Sequence, residues 1–351
     1  MKEVDFRLLS LSRDAAAEMR TQGYKPLGLP VLEKDALVTE VFHTLAKAFE
    51  PISDYELVFC GGTALSKGYQ ILDRMSEDVD FKIIRSDANQ AVSKSRLRRD
   101  LSEIKHLVVS ALGEVGYADD ALKVRARNNN QHIAIDAYYQ TLSKRNSTLR
   151  PHIEVELTST NLQMQPEMNQ VGLMIDSWVS SDYPQHDVKC IALSEAVAEK
   201  LIAFPRRLAH FVRRRKRGFE GRFDSTLVRH LYDVSRVLGG DNNLRLSGLA
   251  DEIRPLLALL IIKDGEEFAA QHPEFVATPT KELTLAMELA KRSRVISDGY
   301  ELFLDSMVYA RDTDKPLYRE AVGDFNWLLE HSLDCKHPVK ASFESRQNKP
   351  N

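Results

Sequence analysis

A glycine pair and two aspartates lie within about twenty residues of one another in the first quarter of the chain. The pair, Gly61-Gly62, ends a short apolar run over residues 57–60, and Asp78 and Asp80 begin a second one. Glycine allows backbone N–H groups to approach a phosphate closely, because it has no Cβ to obstruct the turn or the ligand. Aspartates two positions apart on a strand leave the same face, with Cα atoms ~6.6 Å apart. These residues predict a site for phosphates and a divalent metal.

The chemistry of such a site is displacement at phosphorus. Two metal ions ~3.5–4 Å apart can hold an attacking hydroxyl and a leaving pyrophosphate in line, and carboxylate oxygens suit Mg²⁺ or Mn²⁺. Residues near the glycine pair that could bind the phosphates are Thr63, Ser66, Lys67 and Arg74. Taken singly, the glycines also fit a plain strand-to-helix turn and the aspartates a solvated strand face. Their combination favours catalysis.

The elements that must position these residues can be predicted from the spacing of apolar side chains. Helices are predicted over residues 37–49 and 93–115, and strands over residues 57–60, 79–84, 132–139 and 149–158. The last two strands alternate apolar and polar residues, which is typical of antiparallel neighbours in a half-exposed sheet. The first half of the chain is therefore predicted to be α+β.

Helical patterns dominate the second half of the chain. Helices are predicted over residues 194–204, 225–238, 283–303 and 317–333. Ser225 is placed to cap the second of them and Gly239 to end it. The change of pattern places a domain boundary near Asp187, which gives an α+β domain over residues 1–187 and a helical domain over residues 188–351. The polar tail from residue 340 on is predicted to be disordered.

The composition excludes several classes of protein. An apolar share of 43% with 28% charged residues is typical of a folded, soluble chain. We find no run of ~20 apolar residues and no signal-peptide pattern, so a cytoplasmic location is expected. Cys60, Cys190 and Cys335 are too few and too scattered to predict a disulfide framework or a zinc site.

The segment FCGGTALSKGYQILDRMSEDVDF, residues 59–81, resembles the first motif of the AbiEii/AbiGii-type toxins. These toxins are a branch of the DNA polymerase beta-like nucleotidyltransferase superfamily, found in bacterial toxin–antitoxin pairs. The resemblance implies a small mixed sheet with flanking helices, followed by a mainly α-helical C-terminal domain. It also implies an enzyme that transfers a nucleoside monophosphate from an NTP to RNA, especially to a tRNA 3′ end, and that is the toxin of a toxin–antitoxin or phage-defence pair with a cognate antitoxin protein.

The resemblance further implies a third carboxylate on a strand beside Asp78 and Asp80. Glu154 and Glu156 lie on one face of the predicted strand over residues 149–158. We favour Glu156, with Glu154 as the alternative and Asp136 on the preceding strand as a weaker one. The alternative is that both glutamates are ordinary exposed residues with no part in a metal site.

Two motifs in the helical half resemble the same family. Residues 199–203, EKLIA, resemble its Glu-Lys-Leu-x-Ala motif. Residues 229–234, RHLYDV, resemble its Arg-Asp-x-x-Asp-Leu-type motif, with His230 in place of the second acidic residue. The resemblance implies that Lys200 neutralises the triphosphate, and that Asp233 is either an acceptor-side carboxylate or the partner of Lys200.

The structural alternatives for these two residues are surface positions. Lys200 could extend over an apolar helix face toward solvent. Asp233 could form an exposed or hinge ion pair with Arg229 or Arg236, which lie four positions before it and three after it. Pro205 is expected to interrupt or kink the helix that carries Lys200.

A basic run separates the two motifs, although the whole chain has a net charge of −3. Its predicted RNA contacts are Arg206, Arg207, Arg213, Arg214, Arg215 and Arg217. With Phe211, Phe219 and Phe223 interleaved, such a run could follow a nucleic-acid backbone while the aromatic rings stack on bases. A solvated surface, or a face that docks on an acidic antitoxin, explains it equally well.

Other functions fit parts of the pattern. The same carboxylates could attach a nucleotide to a protein or to a small molecule, for which the basic run has no evident use. The chain could also be a catalytically vestigial module that binds a nucleotide or a partner. The intact pair of Asp78 and Asp80 favours an active enzyme.

Overall fold

Seven strands form one mixed sheet in the computed structural model of the chain, which describes residues 2, 7–86, 92–142, 149–239 and 243–333. Cys335 and the predicted tail lie outside the described residues. The strands are β1 (Tyr55–Phe59), β2 (Asp78–Arg85), β3 (Leu122–Arg127), β4 (His132–Tyr138), β5 (His152–Ser159), β6 (Glu167–Val171) and β7 (His186–Cys190). Their order across the sheet is β3-β4-β5-β2-β1-β7-β6.

Strand β2 lies at the centre of the sheet, antiparallel to β1 and parallel to β5. The antiparallel pairing predicted for β4 and β5 is confirmed. Strands β3, β6 and β7 were not predicted, because short strands with many polar residues give weak alternation. The predicted domain boundary at Asp187 falls inside β7, which belongs to the sheet.

One face of the sheet is the apolar core of this half of the chain. It is covered by α2 (Leu29–Phe49) and α4 (Lys94–Glu114), while α1 (Leu8–Thr21) packs on α2. Phe42 of α2 is fully buried, and its ring centroid lies 4.4 Å from Phe59 and 5.5 Å from Phe81. Aromatic pairs of this kind add about 0.5–1.5 kcal/mol each beyond the burial of their area. The opposite face carries the polar positions of β2, β4 and β5.

The start of α2 lies eight residues before the predicted start at residue 37. The periodicity fails there because three consecutive charged residues, Glu33, Lys34 and Asp35, are buried within the first turns. Helix α4 begins where it was predicted, with Ser93 as the N-cap accepting a hydrogen bond from the Arg96 N–H.

The second half is helical, as predicted. Its helices are α5 (Leu193–Lys216), α6 (Arg229–Gly239), α7 (Asn243–Glu267), α8 (Pro273–Ala277), α9 (Pro279–Arg292), α10 (Arg294–Met307) and α11 (Tyr318–Leu333), with a 3₁₀ turn at Ser225–Val228. The chain divides into two compact units, Met1–Ala196 with Glu301–Lys315, and Val197–Tyr300 with the residues from Pro316 on. None of the helices in the described part of the chain is both long and apolar enough to cross a membrane.

Three local predictions in this half are wrong. Helix α5 does not stop at Pro205 but continues to Lys216, and Pro205 lies inside it. Asp224, not Ser225, caps the 3₁₀ turn, because its carboxylate accepts the Thr226 N–H at 3.0 Å. The single helix predicted over residues 283–303 is two helices that meet at Ser293.

Candidate active site

The glycine turn lies directly against Asp80. Gly61 has a φ of +73°, in the left-handed region that L residues other than glycine rarely adopt. A Cβ at this position would overlap Oδ2 of Asp80 and lie 3.0 Å from its Cγ. The turn is tied to β2 by the Cys60 N–H, which donates to the Asp80 carbonyl at 2.9 Å. Glycine is therefore required here for both the backbone and the neighbouring carboxylate.

Carboxylates from β2 and β5 share one face of the sheet. The register pairs Asp78 with Glu154 and Asp80 with Glu156. Because paired residues of adjacent strands, ~4.8 Å apart, point to the same side, these four side chains form one acidic patch beside the glycine turn. Asp78, Asp80 and Glu154 are half-buried, while Glu156 is exposed. The structure thus brings Asp78, Asp80 and both candidate glutamates together.

Arg150 is a member of this site that the sequence did not predict. Its Nη1 lies 2.7 Å from Asp78 Oδ1 and also contacts Glu154 Oε2. Its backbone N–H donates to Glu77 Oε2 at 2.7 Å. A guanidinium between two carboxylates offsets their repulsion. The signal that could have identified it is an arginine four positions before Glu154, on the loop that leads into an acidic strand.

Asp136 is held by Arg125 from the neighbouring strand β3. Arg125 donates to both Asp136 oxygens, with Nη2 2.7 Å from Oδ1, and the same Nη2 lies 3.3 Å from Glu154. These hydrogen bonds lower the pKa of Asp136. Glu154 is thus shared by Arg125 and Arg150, while Glu156 lies opposite Asp80 in the register, and Glu156 as the third carboxylate stays a prediction.

The acidic patch fits a divalent metal in its donor chemistry. Asp78, Asp80 and Glu156 offer only hard carboxylate oxygens, which Mg²⁺ and Mn²⁺ prefer. Gly61 leaves the space in which the Asp80 carboxylate lies. Among the described residues, no three His, Cys, Asp or Glu side chains are close enough together to hold a metal ion as they stand. The Arg150 guanidinium contacts two of the four carboxylates, Asp78 and Glu154.

A family model for the nucleotidyl transferase AbiEii toxin of type IV toxin–antitoxin systems matches residues 44–331. The chain belongs to the AbiEii nucleotidyltransferase toxin family. The match includes the glycine turn, the acidic patch and both helical motifs, and it confirms the resemblance of residues 59–81.

Two further comparisons add little to this assignment. A search of curated proteins returned no significant match. Among solved structures, the chain matches MenT4, a nucleotidyltransferase toxin from Mycobacterium tuberculosis H37Rv, at 17% identity. The match covers 80% of this chain and 98% of MenT4, with a TM-score of 0.32. A superposition this loose supports no argument about the geometry of the site.

Lys67 of this AbiEii-family chain does not extend toward the face that carries the acidic patch. Its Nζ lies 2.5 Å from Asp35 Oδ1 and donates to Thr39 Oγ1 at 2.8 Å and to the Gly172 carbonyl at 3.0 Å. The side chain is buried. These contacts join α2 to the loop after β6, so the phosphate role predicted for Lys67 does not match its position.

Thr63 and Arg74 support the turn from inside the protein. Thr63 Oγ1 donates to the Asp78 carbonyl at 2.5 Å, so the Ser76 hydroxyl, 2.6 Å away, donates to Thr63. Arg74 is 2% exposed, and a Cβ on Gly62 would overlap its Nη2. Thr63 therefore ties the turn to β2, and Arg74 occupies the space beside Gly62.

Ser66, one of the residues predicted to bind the phosphates, is half-buried. Its hydroxyl donates to the Thr63 carbonyl at 3.2 Å. It lies in a single π-helical turn, Ala64–Gly68, that follows the glycine pair. Turns of this type are frequent at functional sites.

A second buried lysine holds Arg150 in place. Lys34 Nζ donates to the carbonyls of Arg150, at 2.9 Å, and of His152, and lies 3.5 Å from Glu77 Oε2. Burial lowers the pKa of Lys34, while Glu77 raises it. Since the backbone N–H of Arg150 also binds Glu77, the start of β5 is attached to α2 at several points.

The family motifs of the helical unit meet in a buried ion pair. Lys200 Nζ lies 2.9 Å from Asp233 Oδ2, and both side chains are buried. Neither residue is therefore at the surface, which excludes the surface positions that were the structural alternatives. His230 is half-buried beside them, and the desolvation of its ring together with the Lys200 charge holds its pKa well below the usual range.

Half of the predicted RNA contacts in the basic run, which covers the end of α5 and the turn after it, are engaged within the helical unit. Arg206 is buried, with Nε 2.7 Å from Asp264 Oδ2 and its guanidinium 3.8 Å from the Phe268 ring centroid. Arg213 binds Glu282 and Arg217 binds Glu274. These three arginines join α5 to the helices packed on it.

The other predicted contacts, Arg207, Arg214 and Arg215, are exposed. The Arg214 guanidinium lies 3.6 Å from the centroid of the Phe219 ring. Phe211 and Phe223 pack edge to face, 5.7 Å apart. The aromatic rings of the run are therefore in contact with groups of their own unit.

Proposed function

We propose that this chain transfers a nucleoside monophosphate from an NTP to RNA, with a tRNA 3′ end as the acceptor, and releases pyrophosphate. In this proposal it acts in the cytoplasm as the toxin of a type IV toxin–antitoxin system, restrained by its antitoxin. The observation that supports it most is the position of Asp80 between the Gly61 turn and Glu156. Family membership supplies the reaction type.

Each residue of the site has a task in this proposal. The backbone N–H groups at Gly61 and Gly62, with the Ser66 hydroxyl, bind the triphosphate. Asp78, Asp80 and Glu156 hold a divalent cation, which when bound polarises the phosphoryl oxygens and neutralises the leaving pyrophosphate. Thr63, Lys67 and Arg74 hold the turn in shape. The role of Lys200 at the triphosphate stays a prediction.

The transfer itself is a displacement at the α-phosphorus. The terminal hydroxyl oxygen of the acceptor forms the new P–O bond, and the bond to pyrophosphate breaks. The hydroxyl proton leaves to a base, for which the carboxylates that share this face of the sheet, Asp78, Asp80, Glu154 and Glu156, are the candidates. The charge of Arg150 beside Asp78 fixes the direction of that carboxylate.

The test compares the wild type with Asp80→Asn, which keeps the shape of the side chain and removes its charge. Each of the four radiolabelled NTPs is incubated with total RNA, with total protein, or with neither. We expect label in tRNA with the wild type, at least 100-fold less with Asp80→Asn, and growth arrest only from the wild type. Asp119→Asn, at an exposed acidic position, is the matched control and keeps full activity.

The other outcomes each reject the proposal. Label in protein would assign the site to protein modification, and label in a small molecule to modification of that molecule. A wild type that labels nothing would indicate a vestigial module. Full toxicity of Asp80→Asn would show that growth arrest does not depend on this site.

A further inference from the structure

A basic groove opens between the N-terminal half of α4 and the turn that joins β3 to β4. Four cationic side chains line it, Arg98, Arg99 and Lys105 from the helix and Arg127 from the end of β3. The asparagines of residues 128–130 complete the wall formed by the turn, and the cavity has a volume of about 570 Å³. No function described above uses these residues.

The helix presents its cations on a single side. The lining positions on α4 are spaced three and four apart and therefore face the same way. Ser95 and Ser102 lie on this side and add hydroxyl groups. Asp100 is directed elsewhere, since it accepts a hydrogen bond from the Tyr55 hydroxyl at 2.9 Å. Among the described residues that line the groove there is no Asp or Glu.

The cations of the groove are available to a ligand. Within the part of the chain that the structure describes, Arg98, Lys105 and Arg127 form no ion pair, and Arg99 comes no closer than 3.9 Å to Asp100. Arg98, Arg99 and Arg127 are exposed. Of the predicted RNA contacts in the basic run, Arg206, Arg213 and Arg217 are bound to carboxylates, whereas Arg207, Arg214 and Arg215 are exposed. The groove adds a second set of cations that an external anion can reach.

The turn presents amide side chains to the same space. Asn128, Asn129 and Asn130 have φ values of 48°, 55° and 67°, three successive residues in the left-handed region. Asparagine is among the few L residues that adopt this conformation readily. Asparagine amides, serine hydroxyls and arginines are the groups that proteins use to bind phosphate and sugar oxygens.

The chemistry of the lining favours nucleic acid over protein. Ala126 is the single apolar side chain among the described lining residues. A protein interface has an apolar, aromatic-rich centre, with charged residues depleted there. A sugar–phosphate backbone needs the opposite, which is cations and hydrogen-bond donors without an apolar centre.

The groove lies in the same unit as the candidate active site, and Arg127 is its member on the sheet face that carries Asp80, while the α4 cations lie on the side of the sheet that α4 covers. Arg127 on β3 aligns with His132 on β4, with Thr158 on β5 and with Lys82 on β2. Lys82 lies two positions after Asp80, so Arg127 and Asp80 are three strands and two positions apart. With strands ~4.8 Å apart and a rise of ~3.3 Å per residue, the Cα atoms of Arg127 and Asp80 are ~16 Å apart. An RNA strand that contacts Arg127 and reaches Asp80 therefore spans at least roughly five stacked nucleotides at ~3.4 Å each.

We propose that this groove binds the sugar–phosphate backbone of the acceptor RNA, a few nucleotides before the 3′ end that enters the active site. The inference rests on the proposed function for the identity of the acceptor. The groove supplies affinity and register, and it does not read sequence, because phosphate contacts carry no base information.

The experiment neutralises three cations in the full-length chain, Arg98→Gln, Lys105→Gln and Arg127→Gln together. Equilibrium binding of bulk tRNA is measured by fluorescence anisotropy over a series of salt concentrations. We expect binding at least tenfold weaker at low salt. The slope of log affinity against log salt should fall by about 2, since each lost contact with a single strand removes ~0.7. The KM for tRNA rises, while kcat and the KM for NTP stay unchanged.

The matched control removes the same charge from exposed positions on α1 and α2, with Arg13→Gln, Arg20→Gln and Lys47→Gln together. We expect tRNA binding close to that of the wild type. The proposal is overturned if the control weakens binding and the groove variant does not, or if the groove variant lowers affinity without changing the salt slope. Thermal unfolding of both variants identifies any loss of folding.

Failure of this inference can be told apart from failure of the proposed function. The binding measurement needs no catalysis, so it tests the groove even if the labelled nucleotide goes to a protein. A wild type that labels tRNA, together with a groove variant of unchanged tRNA affinity, rejects the groove alone. A wild type that does not bind tRNA rejects both.

Discussion

Arg150 Nη1 lies 2.7 Å from Asp78 Oδ1, and the same nitrogen contacts Glu154. The guanidinium thus occupies the space between two carboxylates of the acidic patch, one of which is a proposed metal ligand. Two like charges so close repel each other strongly unless a cation lies between them. Arg150 can supply that charge from within the chain, and a divalent metal on Asp78 competes with it for the same oxygens.

The first prediction follows from this competition. Arg150→Gln should lower the free energy of unfolding by about 1.5–3 kcal/mol in metal-free buffer, because the variant loses hydrogen bonds to charged groups. The stabilisation gained on adding Mg²⁺ should be larger than in the wild type, since Asp78 is no longer held by the guanidinium. Thermal unfolding with EDTA and with Mg²⁺ measures both effects.

Arg150→Lys is the control, because lysine keeps the positive charge but lacks the planar guanidinium. It should recover part of the free energy of unfolding that Arg150→Gln loses in metal-free buffer. Equal Mg²⁺-induced stabilisation of the wild type and of Arg150→Gln would contradict the competition between Arg150 and the metal.

Much of the acidic patch could be predicted from the sequence. Alternation in β2 and β5 placed Asp78, Asp80, Glu154 and Glu156 on polar faces, because a strand has a strict period of two. The register that puts Asp80 opposite Glu156 is set by the packing of the two strands across the sheet. Local pattern alone therefore left Glu154 and Glu156 as alternatives.

The partners of buried charges could not be predicted in the same way. Lys67 lies beside the glycine turn in sequence, yet its ammonium binds Asp35 and the Gly172 carbonyl, 32 and 105 positions away. Arg213 and Glu282 are 69 positions apart. A basic residue near a phosphate motif, or within a basic run, looks the same in sequence whether tertiary structure pairs it or leaves it exposed.

The second prediction concerns Gly61. Gly61→Ala places a Cβ against Asp80 Oδ2 and a side chain on a backbone with positive φ, so either the carboxylate or the turn must move. We expect at least a 100-fold loss of nucleotide transfer, because a small displacement of a catalytic carboxylate has a large effect on rate. Steady-state transfer of labelled nucleotide to tRNA measures it.

Gly113→Ala provides the control for this change. Gly113 lies in α4, and a Cβ there would have no heavy atom within 4 Å. Alanine at that position should keep full activity and raise the free energy of unfolding by about 0.8–1 kcal/mol. A Gly61→Ala enzyme with near wild-type activity would show that the contact between Gly61 and Asp80 has no role in catalysis.

The third prediction is a loss of stability in mild acid. Burial lowers the pKa of His43 to about 4, and its ring lies 4.0 Å from that of His186 and near the charge of Lys67. The pKa in the unfolded chain is ~6.5, so between pH 4 and 6.5 the unfolded state binds more protons. His43 therefore favours unfolding increasingly as the pH falls through this window, by at most about 2 kcal/mol at pH 5.

Urea unfolding at pH 7 and pH 5 measures this contribution. His43→Gln keeps a donor for the Val171 carbonyl, which the His43 ring contacts at 3.1 Å, and should lose less stability than the wild type between the two pH values. His106→Gln, at an exposed position on α4, should behave like the wild type. Equal losses in all three proteins would show that His43 is not a source of the acid sensitivity.

The fourth prediction separates the two roles considered for Lys67. In the structure its Nζ compensates the buried carboxylate of Asp35, so Lys67→Met should lower the free energy of unfolding by about 3–5 kcal/mol, since it leaves an unpaired buried charge. The double variant Asp35→Asn with Lys67→Met removes that charge and should recover a substantial part of the loss. Kinetics measured at low temperature, on the folded double variant, should show a KM for NTP within about threefold of wild type. A double variant that folds stably but has a KM for NTP raised tenfold or more would assign Lys67 to the triphosphate, as the sequence predicted.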